Sequence, residues 1–333
     1  MNNEFLASKD TRILVTGAGG FIGGWLVKNL IEQNYINIRA VDIKPKEEWH
    51  QRFDGIENLE IDLQGFDESK SVMRDVGAVY NLAADMGGMG FIENNKSSCM
   101  LSVLINTNLL RAATLFEVTR FFFASSACVY NTFKQQSPDN QGLKEEDAYP
   151  AFPEDGYGWE KLFSERMCQN FSEDFKIETR IGRYHNVYGP KGTFIGGREK
   201  APAAICRKVA QAKITGIPEI EIWGDGNQTR SFTYIDDIVY GTQLLLHSDI
   251  KFPINLGSSE MVSINQLVDF VEDLAGIKLI RNYNLQAPKG VRGRNSDNSL
   301  IKEKLNWEPS IPLIEGLSKT YEWVYNQMKS EGA

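Results

Sequence analysis

Three observations predict an α/β protein: a doubly wound parallel sheet with a smaller α/β lobe attached. A β-branched run meets a glycine turn and then an amphipathic helix near the N-terminus. Apolar strands and helices alternate from there to about residue 184. From residue 185 onward that rhythm breaks.

The first unit is Arg12-Ile13-Leu14-Val15-Thr16-Gly17-Ala18-Gly19-Gly20-Phe21-Ile22-Gly23, closing on Ala40-Val41-Asp42. This order is what a Rossmann dinucleotide site requires. Gly17 takes the tight turn, Gly20 lets the backbone approach a pyrophosphate, and Gly23 permits close helix–strand packing. The helix start at Phe21 and Ile22 offers free N–H groups and the positive end of its dipole to phosphate. Asp42 can accept from both ribose hydroxyls and would repel a 2′-phosphate, which favours NAD over NADP.

The third strand is expected over residues 59–63, with Asp62 in reach of an adenine amino group or simply solvated in a turn. Residues 78–83 read as a buried fourth strand that runs into a second glycine-rich loop at 84–90. A long helix follows over 94–117, then strand 120–126, a polar insert with Pro138 and Pro150, a helix over 157–175 and a strand over 177–184. In the second half, helices are expected near 203–212, 235–247, 264–275 and 313–328, with strands at 219–223 and 253–256. The expected division is a dinucleotide domain of 1–184 and 234–257, and a substrate lobe of 185–233 and 258–333.

With 333 residues, 42% hydrophobic and 24% charged, the chain is an ordinary globular protein. Its net charge of −8 argues against nucleic acid as a partner but leaves room for a local basic cluster. No apolar run is long enough for a membrane span, and the N-terminus lacks a signal-peptide pattern. The four cysteines, Cys99, Cys128, Cys168 and Cys206, are scattered and suggest neither disulfides nor a metal site, which fits a cytoplasmic protein.

Tyr157 and Lys161 lie four apart, on one face of a helix. A lysine held there would lower the phenol's pKa and make it a general base toward a hydroxyl. With Ser126 at a strand end and Gly17-x-x-Gly20-x-x-Gly23 preceded by Thr16, the pattern resembles the extended short-chain dehydrogenase/reductase superfamily. The resemblance implies that Tyr157, Lys161 and Ser126 form its catalytic set, with the first two also touching the cofactor.

Ser125-Ser126-Ala127-Cys128 places a thiol where sugar 4-epimerases of that superfamily usually carry threonine. Most single cysteines are small buried hydrophobes, yet this one sits beside Ser126. Together with residues 83–90, 198–204, 224–232 and 290–298, it makes the chain similar to the GDP-mannose 3,5-epimerases. That resemblance implies oxidation at C4 of the sugar, proton exchange at C3 and C5 by Cys128 and Lys200 from opposite faces, and re-reduction. It also implies that Gly87, Ser126, Ala127, Asn186, Glu199 and Ala201 line the sugar and nucleotide. Lys208, Gln228, Thr229, Arg230 and Arg294 would meet the diphosphate end, where bidentate arginine suits phosphate oxygens. A homodimer through the helices at 94–117 and 157–175 is implied as well. The alternatives are a sugar 4-epimerase, a C4 dehydrogenase or epimerase of a GDP-manno-heptose, and a non-catalytic NAD-sensing regulator. A pure C4 enzyme needs neither Cys128 nor Lys200, and a regulator needs no tyrosine–lysine–serine set.

Overall fold

The computed structural model describes residues 9–330, so the N-terminal segment read for a signal peptide lies outside it. In chain order the elements are β1 (Arg12–Thr16), α1 (Phe21–Glu32), β2 (Ile38–Asp42), β3 (Glu57–Glu60), α2 (Phe66–Ser71), β4 (Val76–Asn81), α3 (Met89–Asn94), α4 (Lys96–Leu115), β5 (Arg120–Ser126), α5 (Tyr157–Phe175) and β6 (Glu178–Tyr184). Then follow β7 (Val187–Tyr188), α6 (Ala201–Thr215), β8 (Glu219–Trp223), β9 (Thr229–Ser231), β10 (Thr233–Tyr234), α7 (Ile235–His247) and β11 (Ile254–Leu256). The tail holds β12 (Met261–Ser263), α8 (Ile264–Ala275), β13 (Ile280–Asn284), β14 (Gly293–Arg294), α9 (Ser299–Leu305) and α10 (Leu313–Ser330).

Seven strands form one parallel sheet in the order β11-β6-β5-β4-β1-β2-β3. Successive side chains of a strand point to opposite faces, and the core divides accordingly. Ile13, Val15 and Phe122 join α1, α7 and the helices of the second half in one cluster. Leu14, Phe121 and Phe123 join α4 and α5 in the other. The first cluster runs on without a break into α6, α8 and α10. β9 pairs with β12 and β14, β8 with β13 and β7 with β10, which makes three small sheets beside the large one among the described residues.

Strand ends differ from expectation for local reasons. β4 stops at Asn81 because the Thr16 hydroxyl accepts from the Leu82 and Ala83 N–H groups at 3.2 and 3.3 Å, which takes them out of the ladder. β3 lies two residues earlier than expected; its last pair is Asp42 with Glu60, and the Ile61 N–H then closes onto the Asp42 carbonyl. The helix expected over 94–117 is α4, and an unexpected short helix, α3, precedes it; between them Asn95 leaves helical geometry (φ −131°) and its amide bonds back to the Phe91 carbonyl at 2.9 Å. The tail carries α9 as a third helix, at seven residues too short to show a periodicity.

The dinucleotide turn is held by contact. Gly17 has φ +68°, and a Cβ on Gly23 would stand 2.2 Å from the Gly17 carbonyl oxygen. Gly23→Ala is therefore expected to destabilise the fold by about 1–3 kcal/mol through overpacking. The urea midpoint measures this, and an unchanged midpoint would mean that the turn relaxes freely.

Candidate active site

The site forms where the C-terminal ends of β1, β4, β5 and β6 meet the loops of the second half. At the dinucleotide end, α1 begins at Gly20 with no side-chain cap and no acid in its first turn, so its leading N–H groups suit an anion. The Asp42 carboxylate, buried, accepts from the Gly19 and Lys44 N–H groups, both at 3.0 Å, which fixes its orientation and leaves lone pairs for a diol. Asp62 is exposed and accepts from Gln64 N–H at 2.9 Å, an Asx turn that leaves one oxygen open. These features fit a dinucleotide.

At the chemical end, β5 ends in two serines that face opposite ways. Ser125 turns back to Glu165, which holds Arg183 in a buried pair with both contacts at 2.8 Å. Ser126 turns into the site, and its hydroxyl accepts from the Cys128 N–H at 3.2 Å. α5 then packs very close: a Cβ on Gly158 would lie 2.4 Å from the Cys128 carbonyl oxygen. That approach brings Tyr157, at the first position of α5, against Ser126 and Cys128.

The electrostatics depart from expectation at Tyr157. Burial raises its phenol well above the usual value, Cys128 and Glu160 add to this, and hydrogen bonding to Ser126 offsets only part. The Lys161 Nζ is 5.6 Å from the Tyr157 ring, stands over Phe123 and is paired with buried Glu160 at 3.6 Å.

Around Cys128 the site gathers more charge. The Arg294 Nη1 donates toward Sγ at 3.6 Å, its Nε donates to Gln135 at 2.7 Å, and its Nη2 pairs with Glu154 at 2.9 Å. Burial pushes the thiol up to about 11, Glu154 adds to this and Arg294 opposes it. Burial lowers the Lys200 amine, Cys128 pulls it back and Arg294 lowers it further.

Lys200 caps α6 with its backbone, and the loop before it is tied to the second glycine-rich loop. The Gly88 N–H donates to the Arg198 carbonyl at 3.0 Å, Arg198 pairs with Asp85 at 2.7 Å, and a Cβ on Gly88 would meet the Glu199 carbonyl at 2.5 Å. Buried Gly87 thus lies on the loop that adjoins the Glu199-Lys200-Ala201 segment.

The structure brings Ser126, Ala127, Cys128, Tyr157, Lys161, Lys200, Arg230 and Arg294 together. Arg230 is braced by the carbonyls of Thr229, Lys289 and Val291 at 2.7, 3.1 and 2.6 Å, and burial lowers it to about 10, still charged at neutral pH. Asn186 sits at φ +40° and donates to the Ser231 carbonyl at 3.0 Å. The remaining assigned side chains are bonded to nearby backbone groups. Gln228 donates to the Trp223 carbonyl and Lys208 to that of Glu221, both at 2.7 Å, Thr229 donates to Pro138, and Glu199 accepts from Gly197 N–H at 2.7 Å. Arg294 is nearly fully buried, so its guanidinium serves Cys128 and Glu154 rather than standing open to a phosphate.

Residues 13–257 match the model of the NAD dependent epimerase/dehydratase family. The chain belongs to the NAD dependent epimerase/dehydratase family. Within and beyond that family, it is 47% identical over 99% of its length to a GDP-mannose 3,5-epimerase of Arabidopsis thaliana, of which it covers 86%. A crystal structure of UDP-glucuronic acid 4-epimerase from Bacillus cereus, in complex with UDP-glucuronic acid and NAD, matches 95% of the chain and 100% of that structure at TM-score 0.79 and 26% identity. UDP-glucose 4-epimerase of Thermotoga maritima shares the fold at TM-score 0.85 and 24% identity, over 96% of this chain and 100% of that one.

Family membership gives the dinucleotide end its occupant, NAD. What sequence reasoning missed is Glu154, three residues before Tyr157, and Gln135, inside the polar insert. Both read as solvated loop residues, and only their burial against Arg294 sets them apart. A cavity of about 700 Å³, lined by Met89, Ile92, Phe152, Trp159 and Val291, also reaches Glu154. Among the described residues no cluster of His, Cys, Asp or Glu is placed to hold a metal.

The depressed lysine is open to test. After reductive ¹³C-methylation, Lys200 should titrate below the ordinary lysine range in NMR spectra, with Lys200→Arg assigning the resonance. A midpoint equal to that of the exposed lysines would contradict its burial beside Arg294.

Proposed function

We propose that this protein epimerises GDP-mannose at C3 and C5 by way of transient oxidation at C4. The observation that carries the reading is the convergence of Cys128 and Lys200 on the Tyr157–Ser126 pair. The 47% identity with a relative named GDP-mannose 3,5-epimerase supports the substrate.

NAD, held by Gly17, Gly20, Gly23, the first turn of α1 and Asp42, supplies the oxidation of C4 and its reversal. Tyr157 Oη and Ser126 Oγ share the proton of the C4 hydroxyl. Burial raises the Tyr157 phenol, so positive charge beside it favours its action as a base. Once C4 is a ketone, the hydrogens on C3 and C5 become acidic. The Cys128 Sγ and Lys200 Nζ then remove a proton and return one to the other face of the ring.

Gly87, Asn186, Glu199 and Ala201 line the sugar in this reading, and Lys208, Gln228, Thr229 and Arg230 face the nucleotide diphosphate. Arg294 moves from the diphosphate to the ring, beside Cys128. Segments 1–184 and 234–257 serve the cofactor, and 185–233 and 258–333 the nucleotide sugar. Four free buried cysteines fit a reducing cytoplasm.

We also propose a homodimer. α4 presents Met100, Leu101 and Leu104 to solvent, and the adjoining α5 presents Trp159 and Phe163, the last 54% exposed. Apolar side chains on two packed helices form the kind of patch that marks an interface. Leu104→Glu with Phe163→Glu should yield a monomer by light scattering; a dimer that survives both changes would place the interface elsewhere.

The function is tested in deuterated water with GDP-mannose. Wild type should place deuterium at C3 and C5. Tyr157→Phe should lose turnover by about 10²–10⁴-fold, along with transient formation of NADH. Cys128→Ser and Lys200→Ala should still form NADH transiently but exchange deuterium far more slowly. Parental exchange in both would remove proton transfer from these residues and leave a C4-only enzyme.

A further inference from the structure

Glu154 belongs to the loop before α5, and nothing in the reaction above uses it. Its backbone N–H donates to the Cys128 carbonyl at 3.1 Å, so the two residues are tied main chain to main chain. Its carboxylate is buried, pairs with Arg294 at 2.9 Å, adds to burial in raising the Cys128 thiol and keeps Oε2 without a hydrogen-bond partner among the described residues. Arg294 in turn donates toward the same sulfur at 3.6 Å. A carboxylate and a guanidinium thus share one thiol.

We propose that Glu154 sets the basicity of Cys128: its carboxylate, anchored by Arg294, accepts from the thiol and opposes the thiolate. This rests on the epimerase reading and deepens it. The physical need is plain. A C–H bond beside a ketone is a far weaker acid than a free thiol, so an easily formed thiolate is a poor base toward it. Raising the cost of the thiolate makes that thiolate a stronger base once formed.

The proton balance is simple in either direction. When Cys128 gives its proton to carbon, the S–H bond breaks, a C–H bond forms, and the electron pair stays on sulfur between Arg294 and Glu154. When it takes a proton, the C–H pair passes into the enolate and the S–H bond is restored. Glu154 keeps its own proton count throughout and acts as a positioning residue.

Every charged group around the sulfur enters the balance. Glu154 raises the thiol and Arg294 lowers it, while Tyr157, Lys200 and Arg230 face it from α5, the start of α6 and β9. Burial would raise the Glu154 carboxyl, but Arg294, the contact with Cys128 and Arg230 together hold it below the usual carboxylate range. It is therefore charged throughout the neutral range, as the proposal requires.

The test uses the ligand-free holoenzyme first. Iodoacetamide alkylation of Cys128, followed against pH by mass spectrometry of its peptide, gives the midpoint of the thiol. Glu154→Gln leaves Arg294 unopposed and should move that midpoint down by at least about one pH unit. Arg294→Gln leaves Glu154 unopposed and should move it up. With GDP-mannose in deuterated water, Glu154→Gln should lower kcat for exchange by roughly 10-fold with KM little changed, and transient NADH formation should persist. Glu154→Asp keeps the charge and should restore most of the exchange.

An unmoved midpoint in Glu154→Gln, or movement of both variants in one direction, overturns the proposal. Should Glu154→Gln fail to retain NAD, Arg294→Gln and Glu154→Asp carry the same test. Alkylation needs no sugar. If wild type exchanges no deuterium into GDP-mannose, the epimerase reading falls, and the alkylation midpoints still decide for or against Glu154.

Discussion

The steric contact between Gly23 and Gly17 is the constraint on which the rest depends. A single missing methyl group lets the first turn of α1 sit against the loop that leaves β1, because a Cβ there would come within 2.2 Å of a carbonyl oxygen. The contact aims the uncapped helix end at the place where phosphate must lie. It also seats α1 on the sheet, where Leu26 and Leu30 join the core of Ile13 and Val15. The same device recurs at Gly158, where α5 meets the Cys128 carbonyl. One absent side chain therefore positions the cofactor, and a second positions the phenol and the thiol. Both act through backbone, which neither rotates nor titrates.

Charge is arranged around these fixed points. The chain is acidic overall, yet its site concentrates Lys161, Lys200, Arg230 and Arg294; Lys161 and Arg294 are paired with acids, Arg230 with backbone carbonyls, and Lys200 faces Cys128. Removing an ion from water costs several kcal/mol even after relaxation, and a partner recovers this only with good geometry. The Arg183–Glu165 pair meets that condition with two contacts of 2.8 Å, and it fixes Ser125 on the far side of β5. Ser126, one residue on, is thereby left facing the site. The Glu154–Arg294 pair spends its charges differently, since both reach a group that must gain and lose a proton.

Much of this was legible in the sequence, and the unread part has physical causes. Helices 157–175, 235–247 and 264–275 and strands 120–126 and 219–223 stand where periodicity places them. The short helix α3 was not legible, because six residues beside the glycines at 87 and 88 are too few to show a period. Strands of two or three residues, such as β9 and β14, carry no alternation at all. At the site, Tyr157 and Lys161 could be picked out from spacing, and Ser126, Cys128 and Lys200 from resemblance. Glu154 and Gln135 could not, since a loop acid and a loop amide acquire meaning only when a residue about 140 to 160 positions away, Arg294, is folded onto them.

If Lys200 takes part in proton exchange as proposed, the second half of the chain serves chemistry and not only binding. β5 and α5, which packs against the sheet, position Ser126 and Tyr157. Lys200 is carried instead by the segment between β7 and α6, which is fastened to residues 85–91. Three contacts do the fastening: Gly88 N–H to Arg198, Arg198 to Asp85, and the Arg198 guanidinium over the Phe91 ring at 3.7 Å. The glycine-rich character of residues 84–90 follows from that role, because a Cβ at Gly88 would collide with the Glu199 carbonyl one residue before the lysine. On the proposed mechanism, oxidation at C4 would draw on the sheet and α5, whereas proton exchange on both faces of the ring would draw on the interlock of two loops. That difference in structural cost is the reason a thiol and an amine found together here speak for more than C4 chemistry.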